Sequence, residues 1–166
     1  MLKSVLRVVL NILSVIVLFL LQLYVFNNIY IFGARFNIIA VYIIIFAMIN
    51  SLKLSLPVSL LIGLTTDIVL GNGKLQYMLI FMIVSVVLES LKLIYKQDSS
   101  MSILVYGAAG FIVLESISQM FWAISSGILL NVLVYIFHII KILLLNIPVA
   151  YLMYYLVVKV NEKLER

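Results

Sequence analysis

The chain has 166 residues, of which 66 % are hydrophobic and 10 % charged, with eleven basic and six acidic side chains. Soluble domains are about 45–50 % apolar and about 25 % charged, so this composition excludes a soluble domain. It equally excludes disordered, collagen-like and coiled-coil chains. The mean hydropathy of +1.32 indicates a polytopic membrane protein. The chain has no cysteine, which excludes disulfides and thiolate sites.

Long apolar windows predict six membrane-crossing helices, because about 20 apolar residues are needed to cross about 30 Å of hydrocarbon. The windows lie at about 6–26, 36–50, 54–70, 75–95, 101–123 and 142–158. The second and third are short for a full crossing, and tilt or local thinning of the bilayer would compensate. Because the connections are short, we expect residues 1–166 to form a single integral-membrane domain of the all-α class.

Two features leave details of these helices open. Pro57 is expected in the first turn of the third helix, where its missing N–H costs little. The segment Ile128–Lys141 is apolar but polar at three positions. It fits an interfacial helix, a re-entrant piece, or the start of one long helix that bends at Pro148 and runs to Val160.

The basic residues predict the orientation of the helices. Six crossings with a cytoplasmic N-terminus place eight basic residues inside and two, Arg35 and Lys74, outside, with Lys141 unassigned, which fits the positive-inside rule. The eight inside are Lys3, Arg7, Lys53, Lys92, Lys96, Lys159, Lys163 and Arg166. Both termini are therefore predicted to be cytoplasmic. The net charge of +5 reflects this topology and predicts no nucleic-acid partner, since no basic patch is interleaved with aromatic residues.

Asp67 is the most informative polar residue within a predicted crossing. Gly63 precedes it by four residues and Gly71 follows it by four, so all three lie close to one helix face. Glycines at this spacing let a neighbouring backbone approach. We therefore expect Asp67 to face another helix. The alternative is a solvated Asp67 at the helix end, one turn from the Gly71 turn.

Other polar residues have more than one interpretation. Glu89 is expected to form an ion pair with Lys92, three residues later. Glu115 lies centrally in the fifth helix and fits either a buried helix–helix contact or a cavity-lining, partner-facing role. His138 is the only histidine, and no residue pair has the spacing of a metal motif. No nucleophile, P-loop or dinucleotide motif is present, so the sequence predicts no enzyme, no metal and no cofactor.

The segment Gly63–Gly71 resembles the G-x-x-x-D-x-x-x-G signature of the rod shape-determining protein MreD family. Chain length, six crossings and short basic tails match the same family. The chain departs from it in two places: no proline opens the second helix at Arg35–Ile38, and the turn after the signature reads Gly71-Asn72-Gly73-Lys74.

The resemblance implies a non-catalytic component of the cell-elongation machinery in the bacterial cytoplasmic membrane. It implies an MreC-like single-pass protein, the MreB cytoskeleton and the peptidoglycan synthases as partners. Gly63, Asp67 and Gly71 would then order the helix bundle or a partner contact, with Glu115 as a further candidate. The family is similar in architecture to the S-components of vitamin transporters.

That similarity raises an alternative function, a vitamin-binding subunit of an energy-coupling-factor transporter. Its outward cavity is expected to be lined by Asp67, Gln119, Trp122 and tyrosines. A third hypothesis is ion or proton conduction through Asp67 and Glu115.

Overall fold

A computed structural model describes residues 15–69, 75–94, 100–128 and 131–165. The all-α class is confirmed: within these ranges six α-helices follow one another, and a small β-hairpin lies between the first two. The helices are α1 (15–24), α2 (Ile38–Ile49), α3 (Leu52–Val69), α4 (Gln76–Ile94), α5 (Ser100–Ser126) and α6 (Val132–Glu165). Within the described ranges, α3, α4, α5 and α6 are long and apolar enough to cross a membrane.

A β-hairpin connects α1 to α2, where the sequence predicted only a break. A 3-10 turn (Phe26–Asn28) leads into strands β1 (Tyr30–Ile31) and β2 (Ala34–Arg35), which pair antiparallel. Phe32 and Gly33, with φ of 53° and 79°, form the two-residue turn. Positive φ at both positions is typical of a type I′ turn, whose twist matches that of the strands.

Helix α2 is the centre of the bundle. Nine of its twelve residues are buried, and it packs against α3, α4, α5 and α6. A helix that is apolar on all sides lies in the protein core or against lipid, and here the four neighbouring helices cover it. At about 1.5 Å per residue α2 is only about 18 Å long. The prediction that the second window is short for a full crossing is therefore confirmed, whereas the same prediction for the third window was wrong, because α3 is long enough to cross.

Helix α3 begins two residues earlier than its apolar window. Its first residue is Leu52, so Pro57 lies in the second turn and the expected first-turn position was wrong. In the first turn a missing N–H costs little, because the N–H groups there have no partner within the helix. That argument does not apply to Pro57 in the second turn. Pro57 instead removes one hydrogen bond of the helix ladder.

Helix α6 contains most of the segment whose placement the sequence left open. It runs without a break from Val132 to Glu165, with Pro148 inside it. Of the three alternatives for Ile128–Lys141, the start of one long helix is therefore the one observed. Its first residues, including Val132, Leu133 and Val134, are more than half exposed. A helix of 34 residues is about 51 Å long, well over the hydrocarbon thickness.

Candidate functional site

The carboxyl group of Asp67 caps a neighbouring helix. Its Oδ1 accepts a hydrogen bond from the backbone N–H of Tyr77, and its Oδ2 accepts one from the N–H of Met78, both at 3.0 Å. These are donors in the first turn of α4, which have no partner within their own helix. Asp67 is 2 % exposed, so it faces α4 and not solvent. An acidic group at a helix N-terminus also interacts favourably with the helix dipole.

Gly63 allows this contact by bringing the two backbones together. A Cβ atom at Gly63 would lie 2.4 Å from Met78 Cα and 2.8 Å from Tyr77 O. Both are backbone atoms, which cannot move aside as a side chain does. Only glycine therefore permits α3 to approach the first turn of α4 closely enough for Asp67 to reach it.

Two serines lie on the same face of α3 as Gly63 and Asp67, closer to its N-terminus. Ser55 and Ser59 are buried and precede Gly63 at intervals of four residues. The hydroxyl groups of Ser59 and Ser85 form a hydrogen bond of 2.6 Å between α3 and α4. The sequence analysis missed these serines, although small residues at every fourth position are the usual signal of close helix packing in membranes.

Gly71, the third residue of the signature, lies outside the described residues. Among the described residues, the packing of α3 against α4 therefore depends on Gly63, Asp67 and the Ser59–Ser85 hydrogen bond.

Glu115 combines the two roles that the sequence left open for it. Its Oε2 lies 3.5 Å from His138 Nε2, which joins α5 to α6, and its side chain is 16 % exposed. The same carboxyl group lines a cavity. One residue later, Ser116 Oγ contacts the hydroxyl group of Tyr135 at 2.5 Å and strengthens the α5–α6 contact.

The cavity beside Glu115 lies under the β-hairpin and has a volume of about 550 Å³. We call it the hairpin cavity. Its polar lining includes Asn27, Tyr30, Arg35, Tyr77, Glu115 and His138. Asp67 is not among its lining residues, although its neighbour Thr66 is. The cavity brings a basic and an acidic side chain together, from β2 and from α5, which no local sequence pattern indicates.

Three amide side chains lie at the N-terminus of α2, and two of them, Gln22 and Asn37, line the hairpin cavity. Gln22 Oε1 accepts from Ile38 N–H at 2.9 Å, and Asn146 Oδ1 accepts from Asn37 N–H at 3.0 Å. Asn37 itself caps α2 through Ala40 N–H. Because α2 starts inside the bundle, its N-terminal donors cannot reach bulk water, and side chains from α1 and α6 satisfy them instead.

The opposite end of α2 carries a second polar group of residues. Lys92 Nζ lies 2.9 Å from Glu89 Oε2, so the predicted ion pair is confirmed. The same ammonium group donates to the backbone carbonyl of Asn50, just after α2 ends. A cation at a helix C-terminus stabilises the helix dipole, so Lys92 fastens the end of α2 to α4.

A second, mostly apolar cavity of about 420 Å³ lies between the end of α5 and the start of α6. Gln119 and Trp122, expected in a ligand cavity together with Asp67, line this one, and Trp122 is half exposed. Asp67 therefore does not share a cavity with them. Within the described ranges, no three acidic or histidine side chains are grouped closely enough to hold a metal ion.

No family model, curated protein or solved structure matches the chain. The resemblance of residues 63–71 to the MreD signature therefore stays a prediction.

Proposed function

We propose that the protein is a non-catalytic, multi-pass component of the bacterial cell-elongation machinery, of the MreD type. In this proposal it lies in the cytoplasmic membrane and holds an MreC-like single-pass protein close to MreB and the peptidoglycan synthases. The observation that supports it best is the role of the signature residues. Gly63 and Asp67 set the packing of α3 on α4, so the pattern G-x-x-x-D has a physical reason to be present in such a scaffold.

The proposed topology has six crossings with both termini cytoplasmic. The positions of basic groups support it. Lys53 and Lys92 lie at the C-terminal end of α2, whereas Arg35 lies at its N-terminal end beside the hairpin. Under the positive-inside rule the hairpin and its cavity then face outward. In this arrangement α1 and α2 cross the membrane together with the four longer helices.

The experiment is a depletion with complementation in the rod-shaped host. We expect depletion to round the cells and to delocalise wall synthesis, and the wild-type chain to restore rods. Gly63→Ala should fail to restore them, because its Cβ would meet the backbone of Met78. Gly107→Ala is the matched control, since a Cβ there meets nothing within 4 Å. Unchanged cell shape after depletion, or no co-purification with an MreC-like protein, contradicts the proposal.

A specific observation favours a second candidate, the vitamin-binding subunit of an energy-coupling-factor transporter. The hairpin cavity, at about 550 Å³, has the size of a small-molecule site, which is about 300–1,000 Å³. Its lining differs from the one expected, because Asp67, Gln119 and Trp122 are not part of it. A vitamin retained by the purified protein, together with an energising partner, supports this candidate over the scaffold.

A further inference from the structure

We propose that the hairpin cavity binds a zwitterionic head group, which carries a phosphate or carboxylate together with a primary ammonium. The inference does not rest on the elongation proposal, since it concerns the chemistry of the cavity alone. The cavity has the volume of a ligand site, and its lining carries opposite charges on different elements of the fold.

Arg35 provides the site for the anion. Its guanidinium lies 4.5 Å from the ring centroid of Tyr30. Among the described residues, no carboxyl group lies within ion-pair distance of this guanidinium. A guanidinium stacked on an aromatic ring keeps its N–H donors available in a fixed plane, a geometry that suits two oxygens of a phosphate or carboxylate.

The N-terminus of α2 adds to the positive potential without binding the anion directly. The N–H groups of Asn37, Ile38 and Ala40 already have side-chain acceptors. The positive end of the α2 dipole nevertheless faces the cavity, because its N-cap residue Asn37 lines the cavity. Arg35 precedes this helix by only three residues, so both positive contributions act on the same side of the cavity.

Glu115 provides the site for the ammonium. Its distance of 3.5 Å from His138 exceeds the length of a charge-assisted hydrogen bond, about 2.7–2.9 Å. In the described part of the chain Glu115 has no other hydrogen-bond or ion-pair partner. A carboxyl group that is 16 % exposed and whose ion-pair partner lies at this distance can accept hydrogen bonds from a primary ammonium that enters the cavity.

The hairpin indicates where such a ligand would come from. Phe32 is 85 % exposed, and Tyr24 and Tyr30 are exposed as well. Tyrosines concentrate at the membrane–water interface, so in this proposal the cavity opens at the depth of lipid head groups. A phosphoethanolamine lipid and a soluble amino zwitterion share the required chemistry, and the experiment has to separate these two sources.

The test measures head-group binding to the purified, delipidated full chain by the shift in Tm and by native mass spectrometry. The probes are short-chain phosphatidylethanolamine, short-chain phosphatidylglycerol and free O-phosphoethanolamine. We expect the ethanolamine lipid to bind at least about tenfold tighter than the glycerol lipid, because only the former carries an ammonium. Binding of O-phosphoethanolamine indicates a soluble source, and binding of the lipid alone indicates a membrane source.

Two variants and a control assign the residues. Arg35→Gln should weaken the binding of both lipids at least about tenfold, since it removes a charged donor. Glu115→Gln should abolish the preference for ethanolamine over glycerol. Lys141→Gln removes an exposed charge from α6 and should change neither. If Arg35→Gln does not fold, two other measurements decide whether the cavity binds the head group. They are lipid binding by Arg35→Lys, which keeps the charge, and the head-group preference of the wild-type chain.

The proposal is overturned by equal binding of the two lipids by the wild-type chain, by no binding of any probe, by unchanged lipid affinity in Arg35→Gln, or by an unchanged preference in Glu115→Gln. A co-purified ligand that lacks either charge overturns it as well. Because head-group binding is measured on purified protein and cell shape in cells, a failure here is distinct from a failure of the elongation proposal.

Discussion

The Oδ2 atom of Asp67 on α3 accepts a 3.0 Å hydrogen bond from the backbone N–H of Met78 on α4. The two residues are eleven positions apart, and their contact joins the last turn of α3 to the first turn of α4. This acidic residue in an apolar helix therefore has a structural role, because it caps the helix that follows.

Removing this cap should destabilise the protein. We expect Asp67→Ala to lower the free energy of unfolding by about 1–3 kcal/mol, because it leaves buried N–H groups of Tyr77 and Met78 without an acceptor. Asp67→Asn should cost less, since one amide oxygen remains. The measurement is thermal unfolding in detergent. Thr65→Ala is the control, because Thr65 bonds only carbonyls of its own helix. An equal loss of stability in Asp67→Ala and Thr65→Ala contradicts the capping role.

The close approach at Gly63 leads to a second prediction, on geometry. Gly63→Ala should separate α3 from α4, because its Cβ would lie 2.4 Å from Met78 Cα. The absence of native cysteine allows a clean cross-linking assay with Ser59→Cys and Ser85→Cys, whose hydroxyl groups are 2.6 Å apart in the wild type.

We expect Gly63→Ala to reduce the yield of this disulfide and to lower Tm. Gly107→Ala, with open space at its Cβ, should change neither. Efficient cross-linking in the Gly63→Ala background would mean that the helices do not separate.

Gly110 provides a milder contact of the same kind. A Cβ there would lie 2.8 Å and 2.9 Å from two side-chain carbons of Ile44, which can adjust where a backbone cannot. Gly110→Ala should therefore destabilise the protein less than Gly63→Ala does. We expect Gly110→Ala to lower the free energy of unfolding by about 1–3 kcal/mol, the usual cost of overpacking. In an Ile44→Ala background the cost of Gly110→Ala should fall. A double-mutant cycle measures this coupling, and additive effects contradict the contact.

The start of α2 depends on a side chain from the far end of the sequence. Asn146 accepts from Asn37 N–H at 3.0 Å and is fully buried. We expect Asn146→Leu to cost about 1–3 kcal/mol, because it leaves that buried N–H unpaired. Asn28→Ala removes an exposed amide that bonds only Tyr24 O and should have little effect. Both are compared by Tm, and a neutral Asn146→Leu contradicts the cap.

The proposed orientation is tested by labelling. Phe32→Cys on the hairpin should react in intact cells with a membrane-impermeant maleimide. Lys53→Cys, an exposed position beyond the C-terminal end of α2, should react only after the cells are permeabilised. The chain has no other thiol, so each signal reports one position. Labelling of both variants in intact cells contradicts the six-crossing topology.

The amino-acid sequence by itself determined the all-α class and the approximate positions of most helices, but it left the placement of Ile128–Lys141 open. Continuous apolar runs cannot be placed in water, and their length defines helices independently of what surrounds them. The sequence also pointed to Asp67, because an acidic group between glycines in an apolar helix is costly unless another helix receives it. The Glu89–Lys92 pair was predictable for a similar reason, since residues three apart share a helix face.

Only the tertiary structure decided which distant groups meet. The hairpin cavity joins Arg35 to Glu115 and His138, and Asn146 reaches Asn37 over 109 residues. Such contacts depend on how whole helices pack. Small residues at every fourth position mark a packing face on one helix, but they do not say which distant helix or loop meets it. The scarce polar residues were visible from the start, but their partners became visible only once the helices were packed together.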